Sequence, residues 1–287
     1  MLYIEITDGL GNQLYRYATA YALAQLAGKR LTVDSSYMAL SGERVFELNK
    51  LQLKWDDHIC WRKPGVFNKY FLNHIRKHFA LKGVTYFVED SKKGSCQEHE
   101  GLIELAKSVE KLYLKGYFQN YRMFDLFQRE LSSMIKPNYT LDKTAYCILE
   151  DMQKTESVSI HLRRGDYVKL GFVLDDAYYE SAIQEITKRL SNPKFFIFSD
   201  DKTAAKKFIE KYSNLNMCLV DYTAINSTIE DLYLMKSCKH QIIANSSYSW
   251  WSGYANHNTN KIVVAPDGKN DLNRNKLYPT SWTVLDY

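Results

Sequence analysis

Two polar clusters in the second half of the chain have the residue types and spacing to hold an oxyanion. His161-Leu162-Arg163-Arg164-Gly165-Asp166-Tyr167 puts two adjacent guanidiniums directly after an apolar run. Guanidinium forks grip phosphate oxygens in pairs and stay charged at every relevant pH. Asn245-Ser246-Ser247-Tyr248-Ser249 is a serine-rich turn placed to open a helix. Hydroxyls and helix N-terminal amides there donate to an anion. Each cluster also has a plainer reading: an arginine paired with Asp166, and ordinary serine capping. Together they point to a diphosphate held between an arginine and a helix N-terminus.

Asp231 lies early in a helix that Ser227 and Glu230 cap by their spacing. Its carboxylate has the acceptor pair that guanine N1–H and the 2-amino group require, although it equally complements the helix dipole. A third loop, Asp8-Gly9-Leu10-Gly11-Asn12, follows a strand, with Asp34 ending the next strand. That resembles a dinucleotide fingerprint, but Leu14 stands where the fingerprint needs Gly or Ala for close helix–strand packing. The glycines better serve the close approach of a backbone to another ligand.

Metal chemistry has little support. His74 and His78 are spaced i, i+4 without the glutamate of HExxH, and the acidic pairs Asp56-Asp57, Asp175-Asp176 and Asp200-Asp201 lack D-x-D spacing. Five scattered cysteines form no CxxC pair and read as reduced thiols.

These clusters need a scaffold, and the pattern supplies one. Leu2–Ile6 reads as a strand; Leu14, Ala18, Tyr21, Ala22 and Leu26 mark a helix face that Gly28 ends, and Leu31–Asp34 is a second strand. From Ser41 to Glu110 the pattern degrades, and the aromatics Trp55, Trp61, Phe67, Phe71 and Phe79 suggest a helical insertion. Leu112–Phe118 reads as a strand, with helices over Tyr121–Met134 and Leu141–Met152. Short β-rich runs then recur at Val158–Leu162, Phe195–Phe198, Met217–Val220, Gln241–Ala244 and Ile262–Ala265, with helices between them. Such alternation predicts a parallel sheet with right-handed crossovers. Every polar cluster of this half follows a strand, at the edge where open parallel sheets bind ligands. We expect two Rossmann-like domains, 1–150 and 151–287, joined near residues 140–157.

With 287 residues, 45% of them hydrophobic and 25% charged, the chain has material for an ordinary core and is not disordered. No apolar run approaches 18 residues, which excludes a membrane span, and the N-terminus lacks a signal peptide, so a cytoplasmic protein is expected. A net charge of +5 suits a phosphate-bearing ligand or an anionic membrane surface and is too weak by itself to argue for nucleic acid, which is not expected as a partner.

Gly9-Leu10-Gly11-Asn12-Gln13, Gly116-Tyr117-Phe118-Gln119, the His161–Tyr167 run, Phe198-Ser199-Asp200-Asp201 and Asn245-Ser246-Ser247-Tyr248-Ser249-Trp250-Trp251 together resemble the bacterial α-1,2-fucosyltransferases of glycosyltransferase family eleven. The matches run in order over nearly the whole chain; Asp8 departs from the usual glycine. The resemblance implies a GT-B-like α/β fold, GDP-fucose as donor and inverting transfer to O2 of a terminal galactose. It also implies no required metal or cofactor, and a setting in O-antigen or capsule synthesis. The acceptor would be a galactose-terminated oligosaccharide, lipid-linked where the enzyme meets the inner membrane. By resemblance, Arg163 binds the β-phosphate, His161 and Asp231 contact guanosine, and Ser246 or Ser247 holds the diphosphate. Arg164, Asn245 and Gly11 join the donor site, and Asn12 faces the donor from the first domain. Asp166 is the candidate base. Two rival readings stand beside this one: an NAD(P) oxidoreductase, resting on Gly9, Gly11 and Asp34, and a non-catalytic carbohydrate binder, resting on 22 tyrosines.

Overall fold

The computed structural model describes residues 1–60, 83–90, 96–267 and 277–286; the side chain of Asp166 and the pair His74 and His78 lie outside the described residues. The chain forms two compact units. The first holds Met1–Asn49, Leu53–Phe127 and Asp271–Leu277; the second holds Lys50–Gln52, Gln128–Asn270 and Tyr278–Tyr287.

The first unit is built on a five-stranded sheet: β1 (Leu2–Glu5), β2 (Leu31–Asp34), β3 (Asp57–Ile59), β4 (Thr85–Val88) and β5 (Leu112–Lys115). The order is β3-β2-β1-β5-β4, and every pairing is parallel. Helix α1 (Leu10–Ala27) covers this sheet and is buried from Leu10 to Ala24 except at Asn12. Gly28, in the left-handed region at φ 61°, ends it as expected. Short helices α2 (Ser36–Ser41) and α3 (Leu102–Ser108) complete the unit.

The segment 41–110 is therefore not helical throughout: β3 and β4 belong to the sheet and flank it on both sides. Both are edge strands with half-exposed side chains, which weakens the alternation that reveals central strands. Trp55 is a core contact, packing edge-on against Tyr17 and Phe46; Trp61, Phe67, Phe71 and Phe79 lie outside the described residues.

The second unit carries α4 (Gln128–Met134), α5 (Lys143–Lys154) and a six-stranded parallel sheet. Its strands are β6 (Ser157–Leu162), β7 (Lys194–Ser199), β8 (Met217–Leu219), β9 (His240–Ile242), β10 (Val263–Pro266) and β11 (Thr283–Leu285), in the order β11-β10-β9-β6-β7-β8. Helices α6 (Gly165–Leu170), α7 (Asp176–Arg189), α8 (Lys202–Lys211), α9 (Ser227–Ser237) and α10 (Ser247–Tyr254) alternate with the strands. All six residues of β6 are buried. The α7 face of Tyr179, Ala182, Ile183 and Ile186 packs with Val158, Ile160, Ile197 and Val264 in one core, as the periodicity predicts.

Three expectations are corrected. The units part at Phe127/Gln128, not near 150: α5 packs on α9, and Lys236 of α9 donates to the carbonyls of Ser132 in α4 and Ile135 just beyond it. The helix expected over Tyr121–Met134 is two 3₁₀ turns, Tyr121–Met123 and Asp125–Phe127, followed by α4. The strand β11 was not legible, being three residues long and half-exposed.

Tryptophans 250 and 251 are core anchors of α10: Trp250 stacks on Tyr254 and meets Trp282 at a tilt, and Trp251 packs edge-on against Trp250 and Tyr254. Gly253 lies on the same helix, where an added Cβ would come within 2.9 Å of Val263 and 3.1 Å of the Trp282 ring. Gly253→Ala should therefore overpack this contact and lower stability by about 1–3 kcal/mol in urea unfolding. An unchanged midpoint would show that the Trp282 ring yields freely.

Candidate functional site

In the second sheet the chain runs outward from β6 through β7 and β8, then returns to the other side of β6 with β9. Strand order thus reverses between the neighbouring parallel strands β6 and β9, the place where open parallel sheets leave a crevice for ligands outside their carboxyl ends. Arg163-Arg164 follows β6 and leads into α6, and the turn Asn245-Ser246 beyond β9 leads into α10. The two clusters picked out by residue type thus follow two adjacent strands at this reversal.

Asp200, at the end of β7, organises the first cluster. Its carboxylate accepts from Arg163 Nη1 at 2.5 Å, from the Arg164 amide at 2.8 Å and from the Gly165 amide at 3.1 Å. Gly165 is required here, because a Cβ would lie 2.5 Å from Asp200 Oδ2. Asp200 is thus one partner of Arg163. Arg164 reaches Asp176 Oδ1 at 3.8 Å.

The Arg163 guanidinium also lies 5.1 Å from the Tyr167 ring centroid, and the Tyr167 hydroxyl donates to the Asn245 carbonyl at 3.3 Å. Asn245 donates to the Phe172 carbonyl at 2.8 Å, and its Oδ1 is buried without a hydrogen-bond partner. Arg163 and Asn245 therefore belong to one connected framework.

Ser246 caps α10, accepting from the Tyr248 amide at 3.3 Å, and Ser247 is the first helical residue. Ser249 Oγ accepts from the Ala244 amide and donates back within the same turn, fixing how the helix leaves β9. The capping role of Ser246 is real, and it leaves the remaining N-terminal amides of α10 aimed out of the turn.

His161 is 5% exposed, with its ring 5.6 Å from that of Tyr248. Burial pulls its pKa down to about 4, with Arg163 adding to the effect and Asp200 opposing it. The ring is neutral at pH 7, and its Nδ1 is buried without a partner. The Tyr248 hydroxyl donates to the Thr228 carbonyl at 2.6 Å, which ties α10 to the start of α9.

Asp231 lies on α9. Burial pushes its pKa up to about 6, opposed by Lys202 and the Tyr222 hydroxyl and reinforced by Glu230. Lys202 opens α8 after β7, and Tyr222 follows β8, so Asp231 joins the carboxyl-edge loops of those strands. Residue type alone did not single out Asp200, Lys202 or Tyr222 as organisers; the Phe198–Asp201 run was the available signal for the first.

In the first unit the reversal of strand order falls between β1 and β5. The Gly9–Asn12 loop follows β1, and Gly116–Gln119 follows β5. Gln119 Nε2 donates to Asn12 Oδ1 at 2.8 Å, joining these motifs. Glu89, at the end of β4, accepts from the amides of Tyr117 at 2.5 Å and Phe118 at 3.0 Å and pairs with His99 at 3.1 Å. This holds Phe118 at a φ of 54°.

Asp8, in place of the usual glycine, has a φ of 68° and is held by a 2.7 Å ion pair with the buried Arg16. Gly11 is buried in the first turn of α1. A cleft of about 570 Å³ opens beside these loops, lined by Glu5, Arg16, Tyr37, Glu89, Lys115 and Tyr117 among others. Among the described residues no group of three or more His, Cys, Asp or Glu side chains is arranged to hold a metal ion, and no helix is long and apolar enough to cross a membrane.

The model of the family described as Glycosyl transferase family 11 matches residues 1–286. The chain belongs to glycosyl transferase family 11. It is 31% identical to the O-antigen biosynthesis glycosyltransferase WbnK of Escherichia coli, covering 99% of this chain and 100% of that one. It is 29% identical to the Alpha-1,2-colitosyltransferase of Escherichia coli, covering 98% and 97%. Identity to the mouse Galactoside 2-alpha-L-fucosyltransferase Sec1 is 25%, over 88% of this chain and 64% of that one. The solved structure of fucosyltransferase NodZ from Bradyrhizobium shares the fold, with a TM-score of 0.50 at 16% identity over 88% of this chain and 91% of that one.

The family 11 protein is thus a glycosyltransferase with two Rossmann-like units of GT-B type. The oxidoreductase reading of Gly9-x-Gly11 falls: the match spans the chain, and Leu14 is a buried core residue of α1. The aromatic excess is accounted for by packing, since Tyr15, Tyr17, Tyr178, Tyr179 and Tyr254 are among the largest fully buried side chains.

The buried neutral His161 generates a pH prediction. Unfolded, the ring titrates near 6.5; folded, near 4. Between these values the unfolded state binds more protons, so stability falls as pH drops through that window. Wild-type protein should lose about 2 kcal/mol from this group between pH 7 and pH 5. His161→Gln should flatten that part of the profile in urea titrations, and an equally steep profile in the variant would place the effect elsewhere.

Proposed function

We propose that this family 11 enzyme transfers L-fucose from GDP-fucose to O2 of a terminal β-galactoside during bacterial surface-polysaccharide synthesis. The observation that carries the reading is the reversal of strand order between β6 and β9, with the Arg163 loop and the N-terminus of α10 following these two neighbouring strands, in a chain matching a glycosyltransferase family end to end. The name of the WbnK relative supports the O-antigen setting, and that of the mouse relative supports the galactoside acceptor.

Breaking the donor's anomeric C–O bond leaves negative charge on the diphosphate and oxocarbenium character on the sugar. Arg163 and the α10 amides meet the developing charge. Asp200 holds the guanidinium in place before the donor arrives, so little reorganisation is needed. Ser246 and Ser247 supply donors to the diphosphate, while His161 and Asp231 face the nucleoside. An Asp231 carboxylate that is readily deprotonated above pH 6 accepts from guanine N1–H and the 2-amino group.

The acceptor hydroxyl forms the new bond to C1 and passes its proton to a base, for which Asp166 is the candidate, or to the departing diphosphate. Asn12 is fixed by Gln119 within the first unit. The aromatic and carboxylate-lined cleft of that unit suits the acceptor galactoside. The positive counter-charge of Arg163 stands in the role a metal takes in other transferases, so transfer should persist in excess EDTA. Complete loss on chelation, restored by Mn²⁺ or Mg²⁺, would overturn that part.

A second donor is favoured by one specific relative, the colitosyltransferase, since colitose differs from fucose only by lacking the 3-hydroxyl. GDP-fucose and GDP-colitose offered with lactose, Galβ1-3GalNAc and Galβ1-3GlcNAc, with the linkage read by NMR, decide donor and acceptor together.

Arg163→Lys keeps the charge and loses the fork. It should lower kcat about 10²–10³-fold while GDP affinity falls far less, and Arg163→Ala should be worse with circular dichroism unchanged. Near-normal kcat in Arg163→Ala would make the loop structural.

A further inference from the structure

The second unit has another cavity, of about 430 Å³, at the opposite edge of the same sheet. It is framed by α4, α5, the end of α9 and the segment after α10. Lys136, Lys236, Lys239 and His257 line it, with Ser133, Asn256 and other uncharged groups, and no Asp or Glu is among the lining residues. Lys239 directly precedes β9, and its amide donates to Ser157 Oγ at the first residue of β6. Six strand residues at about 3.3 Å each separate this edge from the arginine loop, so the two places lie roughly 20 Å apart.

The cavity is electrostatically one-sided. Lys236 is 6% exposed, and its ammonium donates to the carbonyls of Ser132 at 2.7 Å and Ile135 at 2.8 Å. An ammonium has three donors; the Tyr233 ring centroid lies 5.8 Å from this one, and no acceptor oxygen among the described residues takes the third. Burial and the neighbouring Lys136 pull its pKa down to about 7. His257 is lowered by burial and by Lys236 and Lys261. The neighbouring carboxylate is Glu156, which pairs with Lys239 at 3.1 Å and His240 at 2.8 Å from behind the lining. A buried cation with no counter-ion is costly, and an anion entering the cavity would offset that cost.

We propose that this cavity is a second anion site, taking a phosphate or diphosphate group through Lys136, Lys236, Lys239 and His257, distinct from the crevice between β6 and β9. Phosphate chemistry of this kind comes either free in solution or as the headgroup of an anionic lipid. The site does not depend on the donor reading, because it shares no residue with the donor crevice.

The test uses the full chain with two probes, inorganic pyrophosphate by calorimetry and vesicles of phosphatidylglycerol with phosphatidylcholine, against phosphatidylcholine alone, by co-sedimentation. Each is measured in wild type, Arg163→Ala, Lys136→Glu and Lys236→Met. Lys136 is exposed, so Lys136→Glu should keep its circular dichroism and its GDP affinity. Binding that survives Arg163→Ala and falls at least tenfold in Lys136→Glu and Lys236→Met supports the site. Pyrophosphate binding of that pattern identifies free phosphate as the source, and vesicle binding alone identifies a headgroup. If neither probe binds Arg163→Ala, or if Lys136→Glu binds both as wild type does, the cavity is not an anion site and Lys236 only caps the carbonyls of Ser132 and Ile135. The donor reading is judged separately, by GDP binding in the same variants.

Discussion

The reversal of strand order beside β6 is the constraint on which the candidate site depends. Helical crossovers cover a parallel sheet everywhere except where successive connections leave in opposite directions. In the second unit that place is the seam between β6 and β9, and the loops that must meet there are those after Leu162 and Ala244. Chain topology, rather than any one residue's affinity, puts Arg163 and the α10 N-terminus beyond two adjacent strands. The first unit repeats the arrangement between β1 and β5, where the loops carrying Asn12 and Gln119 are joined by a hydrogen bond.

Each seam is braced by a carboxylate from the neighbouring strand end. Asp200 of β7 gathers the Arg163 side chain and two loop amides; Glu89, beyond β4, gathers two amides of the Gly116–Gln119 turn. A carboxylate accepting several charge-assisted or backbone bonds fixes loop geometry more tightly than neutral contacts do. Such bracing lets a loop without regular hydrogen bonding present its groups in a fixed direction, which electrostatic stabilisation of a transient charge requires. It also explains the glycines: Gly165 leaves room for Asp200, while Asp8 tolerates the left-handed backbone at its own position because Arg16 holds its side chain.

How much of this was legible in sequence follows from what each element buries. Central strands such as Val158–Leu162, with both faces covered, read clearly as apolar runs, and α7 read clearly because one face meets the core. The edge strands β3, β4 and β11 did not, since half-exposed side chains dilute the pattern. The placement of Arg163 and Ser246 just beyond two strands was visible from the pattern of apolar runs. The role of Asp200 was not, because its partners are backbone amides 35 and 36 residues away, which no local spacing encodes. The boundary between units was misplaced for a related reason: α4 and α5 precede the second sheet in sequence, yet pack on α9, which comes long after it begins.

His161 shows why burial and function are joined in this fold. A histidine at the end of a fully buried strand cannot hold a proton at neutral pH without a carboxylate close enough to offset the lost hydration, and Asp200 is committed to the arginine loop. The ring is therefore neutral, with Nδ1 left as a buried polar atom unsatisfied by protein. An unsatisfied buried atom is a stability cost that packing alone would have removed. Asn245 Oδ1, across the same seam, bears the same cost. The contrast between the units is plain: the first unit's folding satisfies Asn12 Oδ1 through Gln119, whereas the second unit's folding leaves His161 Nδ1 and Asn245 Oδ1 without protein partners.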